Sequence, residues 1–148
     1  VPTGGRQPGF SLVETLIVAG LLALVALVAV PRLAAPDNLQ VNVPARQLTA
    51  DLRLAQRLAI ARHADHVLEF APGAPPYASY TVRVSGGAAE PGFPKAVPAG
   101  VVVTGPAQFT FHADGSAAPA GTVSVSFGTA TATIQVVAAT GRVTVVQP

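Results

Sequence analysis

From Leu16 to Val30 the chain reads LIVAGLLALVALVAV, a run with no charged or hydrogen-bonding side chain that stops at Pro31. Extended back to Phe10 and wound as a helix, the block would be roughly 31 Å long, which matches the hydrocarbon core of a bilayer, about 30 Å thick. Such a block is able to span a membrane. Its one discordant residue is Glu14, because a carboxylate costs about 2.5–3.5 kcal/mol at mid-bilayer on insertion scales and less near the interface. An ordinary secretory signal, with Arg6 as its basic region and small residues for cleavage near Leu33-Ala34-Ala35, is shorter and free of acids. A plain anchor for a periplasmic domain tolerates one acid near its end, and charge orients it weakly, since Arg6 precedes the block and Arg32 follows it.

The segment GFSLVETLIVAGLLALVALVAVP, residues 9 to 31, resembles the N-terminal signal of type IV prepilins and pseudopilins. The resemblance implies a polar leader over residues 1–9, a transmembrane and filament-core helix over 10–30, and a periplasmic globular head over 31–148. It also implies a set of site residues. Prepilin peptidase would cut between Gly9 and Phe10, where a missing side chain admits the backbone, and the new amine on Phe10 would be N-methylated. Glu14 would then pair with that amine in its own subunit or a neighbour, a favourable pairing where the dielectric is low, and so select subunits during assembly. Pro31 falls where many pilins carry a helix-kinking proline. The implied partners are the peptidase, other pilin or pseudopilin subunits and the inner membrane, with transfer to a pseudopilus or pilus on assembly.

The remaining residues suit one modest domain. With 50% hydrophobic and 11% charged residues, the composition is that of a folded chain rather than a disordered or polyanion-binding tail. Nine Lys and Arg against seven Asp and Glu leave a formal charge of +2, too small to imply a polyanion partner. The absence of cysteine excludes disulfides and Cys-ligated metal centres.

Pro31 and Pro36 both interrupt helical hydrogen bonding, and Asp37-Asn38 favours a turn or fresh N-cap, so a kinked or unwound stretch is expected over 31–44. Pro44 suits a first helical position and biases Val43 out of the helix. From Pro44 to about His63 the spacing predicts an amphipathic helix, with Leu48, Leu52, Ala55 and Ala59 on one stripe and Arg46, Arg53 and Arg57 near another. Those arginines read as a solvated face, or as a face that meets acids on a neighbouring subunit in a filament. After Asp65 the period changes to two. Strands are expected at His66–Phe70, around Tyr80–Val84, at Phe109–Phe111, at Val123–Phe127, near Thr131–Val137 and at Val143–Val146. Loops rich in Pro and Gly fill 72–76 and 86–98, and Asp114-Gly115 and Gly141-Arg142 mark tight turns. The fold class is therefore α+β: a long kinked N-terminal helix, half hydrophobic and half amphipathic, packed on an antiparallel sheet or two-sheet head.

That order of elements, with ARQLTADLRLAQRLAI at residues 45–60 and a late Gly-Arg-Val turn, resembles the GspH/FimT family of minor pseudopilins and pilins. Some FimT-type pilins bind DNA through a C-terminal Gly-Arg-x-Arg motif. Here the run is Gly141-Arg142-Val143-Thr144, so Thr144 replaces the second arginine. Arg142 is kept as a candidate DNA contact, but with only Arg83, Lys95 and Arg142 as Lys or Arg after the helix, nucleic acid is not the favoured partner. His63, Asp65, His66 and Glu69 have metal-ligand chemistry, yet they straddle the expected helix end and His112 is remote. No catalytic residue, metal site or cofactor is assigned, since no nucleophile elbow, phosphate loop or zinc-protease motif occurs.

Overall fold

The structure, a computed structural model, describes residues 11–33 and 37–146, and the side chains of residues 26–33 and 37 fall outside that description. The chain divides into two compact units, residues 1–35 and 36–148. In the first, α1 runs from Leu12 to Leu33. Ser11 caps it: the Val13 N–H donates to Ser11 Oγ at 3.3 Å, and the Glu14 and Thr15 amides both reach the Ser11 carbonyl. Ser11 and Glu14 thus occupy the two positions of an S-x-x-E capping signature, and a carboxylate in the first turn complements the helix dipole.

In the second unit, α2 spans Asp37–Arg62 and contains Pro44. The helix therefore begins well before the expected start, and Val43 and Pro44 lie within it. Val41, Ala45, Leu48 and Leu52 are all buried at spacings of three and four residues, one continuous face. Burying Val41 on the same stripe holds the turn before Pro44 helical, against the local preference of the X-Pro pair. Pro31 likewise lies inside α1, two residues short of its end; its side chain is outside the description, and residues 34–36 of the expected break are outside it altogether. His63, in the left-handed region at φ 50°, ends α2, and the Ala64 N–H returns to the Ala59 carbonyl at 3.3 Å in a Schellman-type closure.

The head carries two antiparallel sheets. β1 (His66–Ala71), β2 (Ser79–Val84), β3 (Lys95–Ala96), β4 (Val102–Thr104), β5 (Gln108–Phe111), β6 (Ala117–Ala118), β7 (Gly121–Phe127), β8 (Ala130–Val136) and β9 (Val143–Val146) follow in chain order. The first sheet runs β3-β2-β1-β5-β6 and the second β4-β7-β8-β9. Each strand read from period-two alternation is present; β3, β4 and β6 were not foreseen. In β8, Ala132, Ile134 and Val136 turn inward while Thr131 and Gln135 are exposed, the pattern of a sheet with one covered face. The apolar stripe of α2 joins Leu68, Phe70, Val82, Phe109, Phe111, Val123, Val125 and Ile134 in one core.

The 86–98 loop is tied down rather than free. Lys95 Nζ bonds both carboxylate oxygens of Asp51 on α2 at 2.8 Å, and Tyr80 Oη donates to the same carboxylate at 2.8 Å. Burial, then that hydrogen bond and the negative charge of Asp51, push the Tyr80 phenol far above its usual range. Glu90, itself buried, pairs with Arg62 at 2.5 Å near the end of α2.

Candidate functional site

Among the described residues of its own unit, α1 has no apolar partner. Leu12, Leu16, Ile17, Leu21, Leu22, Leu24 and Val25 are all exposed, between 58% and 77%, and they surround the axis rather than forming one stripe. Glu14 stands exposed in its first turn. Gly9 and Phe10 lie outside the described residues. Among the described residues no helix is long and apolar enough to cross a membrane; those with described side chains on α1 end at Val25.

The metal-type residues of the sequence separate into unrelated contacts. His66 is fully buried, with Nδ1 2.8 Å from the Ala64 carbonyl and Nε2 3.5 Å from Glu90. Asp65 takes His112 at 2.9 Å, and Glu69 takes Arg83 at 2.9 Å. His63 closes the helix. Among the described residues no group of three or more such side chains could hold a metal ion.

Arg142 has a different setting. The loop from β8 to β9 makes a short 3-10 turn, Ala138–Thr140, and Gly141 closes it at φ 58°; the Val137 N–H then meets the Arg142 carbonyl at 3.0 Å. A Cβ on Gly141 would sit 2.2 Å from the Gly115 carbonyl oxygen, so glycine is required both by the left-handed backbone and by close approach. Gln56 on α2 fastens this corner, donating from Nε2 to the Gly115 and Thr140 carbonyls, each at 2.8 Å. The turn delivers exposed Arg142 beside α2. There Arg53, Arg57, Gln56, Thr140 and Thr144 join it around an open groove of about 650 Å³. A neighbouring depression of about 430 Å³ shares Ala50, Arg53 and Thr144 and adds Arg46.

The fold thus brings together two sets of residues that were separate in the sequence. Arg46, Ala50, Arg53 and Arg57 recur at three and four residues, one face of α2, and Arg142 arrives across from them. Counting only cations after the helix therefore understated the positive charge around Arg142. Gln56, the residue that holds the corner, carried no signal in the sequence, because both its partners are set by tertiary structure.

The sequence model of the family described as Type II transport protein GspH matches residues 44–141, from α2 to the glycine of that corner. The chain belongs to the GspH family. In fold, this GspH-family chain is similar to a crystal structure of the type IV minor pilin FimU of Pseudomonas aeruginosa strain PAO1, with TM-score 0.60 and 17% identity, over 73% of this chain and 88% of that one. It is similar also to the minor pseudopilin EpsH of the type 2 secretion system of Vibrio cholerae, with TM-score 0.59 and 12% identity, over 74% and 98%. No curated protein sequence matches it. At these identities the structural likeness establishes the fold: α2 packed on antiparallel sheets.

Proposed function

We propose that the protein is a minor pseudopilin or pilin subunit, made as a prepilin, cut between Gly9 and Phe10, N-methylated on Phe10, and assembled into a type II secretion pseudopilus or type IV pilus. Residues 10–30 anchor it in the inner membrane with the head in the periplasm, and the same helix enters the filament core on assembly. Glu14 pairs with the Phe10 amine at that stage, and Pro31 bends the helix. The observation that carries this reading is the helix of exposed apolar side chains in α1, with one acid in its first turn, joined to a GspH-family head. Such a helix needs lipid or neighbouring helices to cover it, and a pilin subunit meets each in turn. The GspH and pilin-like relatives imply a structural role with other subunits as partners, and no residue is proposed as catalytic.

The reading is tested by co-expressing the chain with a prepilin peptidase and measuring its mass. Loss of residues 1–9 together with gain of one methyl group is expected, and a Gly9→Val variant should stay uncut. An uncut wild-type chain would leave only a membrane-anchored periplasmic domain.

A further inference from the structure

Among the described residues β9 ends its sheet, with β8 as its one neighbour. Val136 lies opposite Val143, Gln135 opposite Thr144 and Ile134 opposite Val145. Bonded and non-bonded pairs alternate along an antiparallel ladder, and the bond from Val137 N–H to the Arg142 carbonyl fixes the phase. Thr144 therefore bonds toward β8, while the N–H and C=O groups of Val143 and Val145 point away from it. Arg53 marks that direction: its Nη2 donates to the Val143 carbonyl at 2.9 Å. The arginine groove borders this open edge, since Val143, Thr144 and Val145 line it along with α2.

Among the described residues of the head nothing balances the groove's charge. Asp51 is held by Lys95 and Tyr80, Asp65 by His112, Glu69 by Arg83, and Glu90 by Arg62, while Asp114 accepts from Ser116. Among the described residues no carboxylate pairs with Arg46, Arg53, Arg57 or Arg142. Of the described acids that a second copy of the head would bring, Asp51, Asp65, Glu69 and Glu90 already have a basic partner, which leaves Asp114 alone, too few for the four guanidinium groups. The lining also argues against a nucleic acid. It contains no aromatic side chain on which the bases of a single strand could stack, and a phosphate backbone, single or duplex, has no donor for the carbonyl oxygens of the open edge. A peptide matches both halves of the surface, with N–H and C=O groups for the strand edge and carboxylates for the guanidinium groups.

We propose that this groove seats an extended, acidic segment of a different pilin-like subunit, lying along β9 with its backbone against Val143 and Val145 and its carboxylates on Arg46, Arg57 and Arg142. The proposal rests on the reading of the protein as a filament subunit, and it names the surface through which the head takes a heterologous neighbour.

The test uses the full chain in neutral detergent and three labelled probes: an alternating Glu-Val peptide of about ten residues, the matching Lys-Val peptide, and a short DNA duplex. Saturable, salt-sensitive binding of the Glu-Val peptide alone is expected. The Arg57→Gln, Arg142→Gln double variant, with its circular dichroism unchanged, should weaken it about ten-fold or more. Hydrogen exchange should show the Val145 amide protected when the peptide is bound, and a peptide N-methylated at alternate residues should bind about ten-fold more weakly. Absence of binding overturns the proposal, as does arginine-dependent binding tighter for DNA than for peptide, or peptide binding that leaves the Val145 amide unprotected. Processing by the peptidase is measured separately, so a chain that is cut but binds no peptide fails this inference and leaves the subunit reading standing.

Discussion

Gly141 and Tyr80 show how single positions hold the head together. At Gly141 the left-handed backbone disfavours any Cβ by about 1–2 kcal/mol, and a Cβ there would also collide with the Gly115 carbonyl and Gln56 Nε2. Gly141→Ala should therefore lose about 2–4 kcal/mol, read as a lower urea midpoint with an unchanged slope. Tyr80 makes a prediction about pH. Its folded-state pKa lies above the unfolded one, near 10, so its contribution is complete below about pH 10 and is lost as pH rises beyond that. The tyrosinate absorbance of Tyr80, read in a Tyr77→Phe variant, should appear together with the loss of near-ultraviolet circular dichroism; ionisation of Tyr80 in a still-folded head would contradict the burial argument. Neither residue's role could be read from the sequence in full. Gly141 was legible as a turn residue, but its collision partners are Gly115 and Gln56, and only the closed fold brings them within reach.

At the scale of elements, what the sequence disclosed depended on element length and on competing local signals. β7 and β8 carry seven residues each, enough alternation to identify a strand and its buried face. β3 and β6 have two residues each, too few for any period, and exist because a longer neighbour pairs with them. The start of α2 was misplaced for the opposite reason. Pro44 gave strong local punctuation, and the burial of Val41 overrode it, whereas Asp37-Asn38, read as a turn or a fresh N-cap, stands where α2 begins. That explanation is measurable: Pro costs about 3 kcal/mol relative to Ala within a helix, and its rigidity in the unfolded chain returns about 0.4–1 kcal/mol. Pro44→Ala should stabilise the head by about 2–2.6 kcal/mol, detected as a raised urea midpoint. A destabilised variant would mean that the helix depends on the proline ring's own packing near Leu48 and Val97.

For the whole molecule, the two units present opposite problems to solvent. The head closes its own core and ties each of its described carboxylates internally, whereas α1 leaves the large apolar side chains described on it uncovered and carries one acid near its start. Ser11 and the dipole of α1 already account for Glu14 as a first-turn residue, at about 0.3–1 kcal/mol, and that local role makes no use of a neighbouring subunit. The assembly role does, and the two separate under substitution. Glu14→Gln keeps a side chain able to complete the capping pair but removes the charge, so a purely local role predicts near-normal behaviour. The filament reading predicts that both Glu14→Gln and Glu14→Ala are processed and retained in the membrane, yet enter filaments about ten-fold less than wild type, the loss expected from an unpaired charge of roughly 1.4 kcal/mol. Immunoblots of sheared filaments against membranes, in a host carrying the matching machine, provide the measurement. Normal incorporation of Glu14→Gln would confine Glu14 to capping its own helix, and selection of incoming subunits would then have to come from the head, where the arginine groove is the surface to examine.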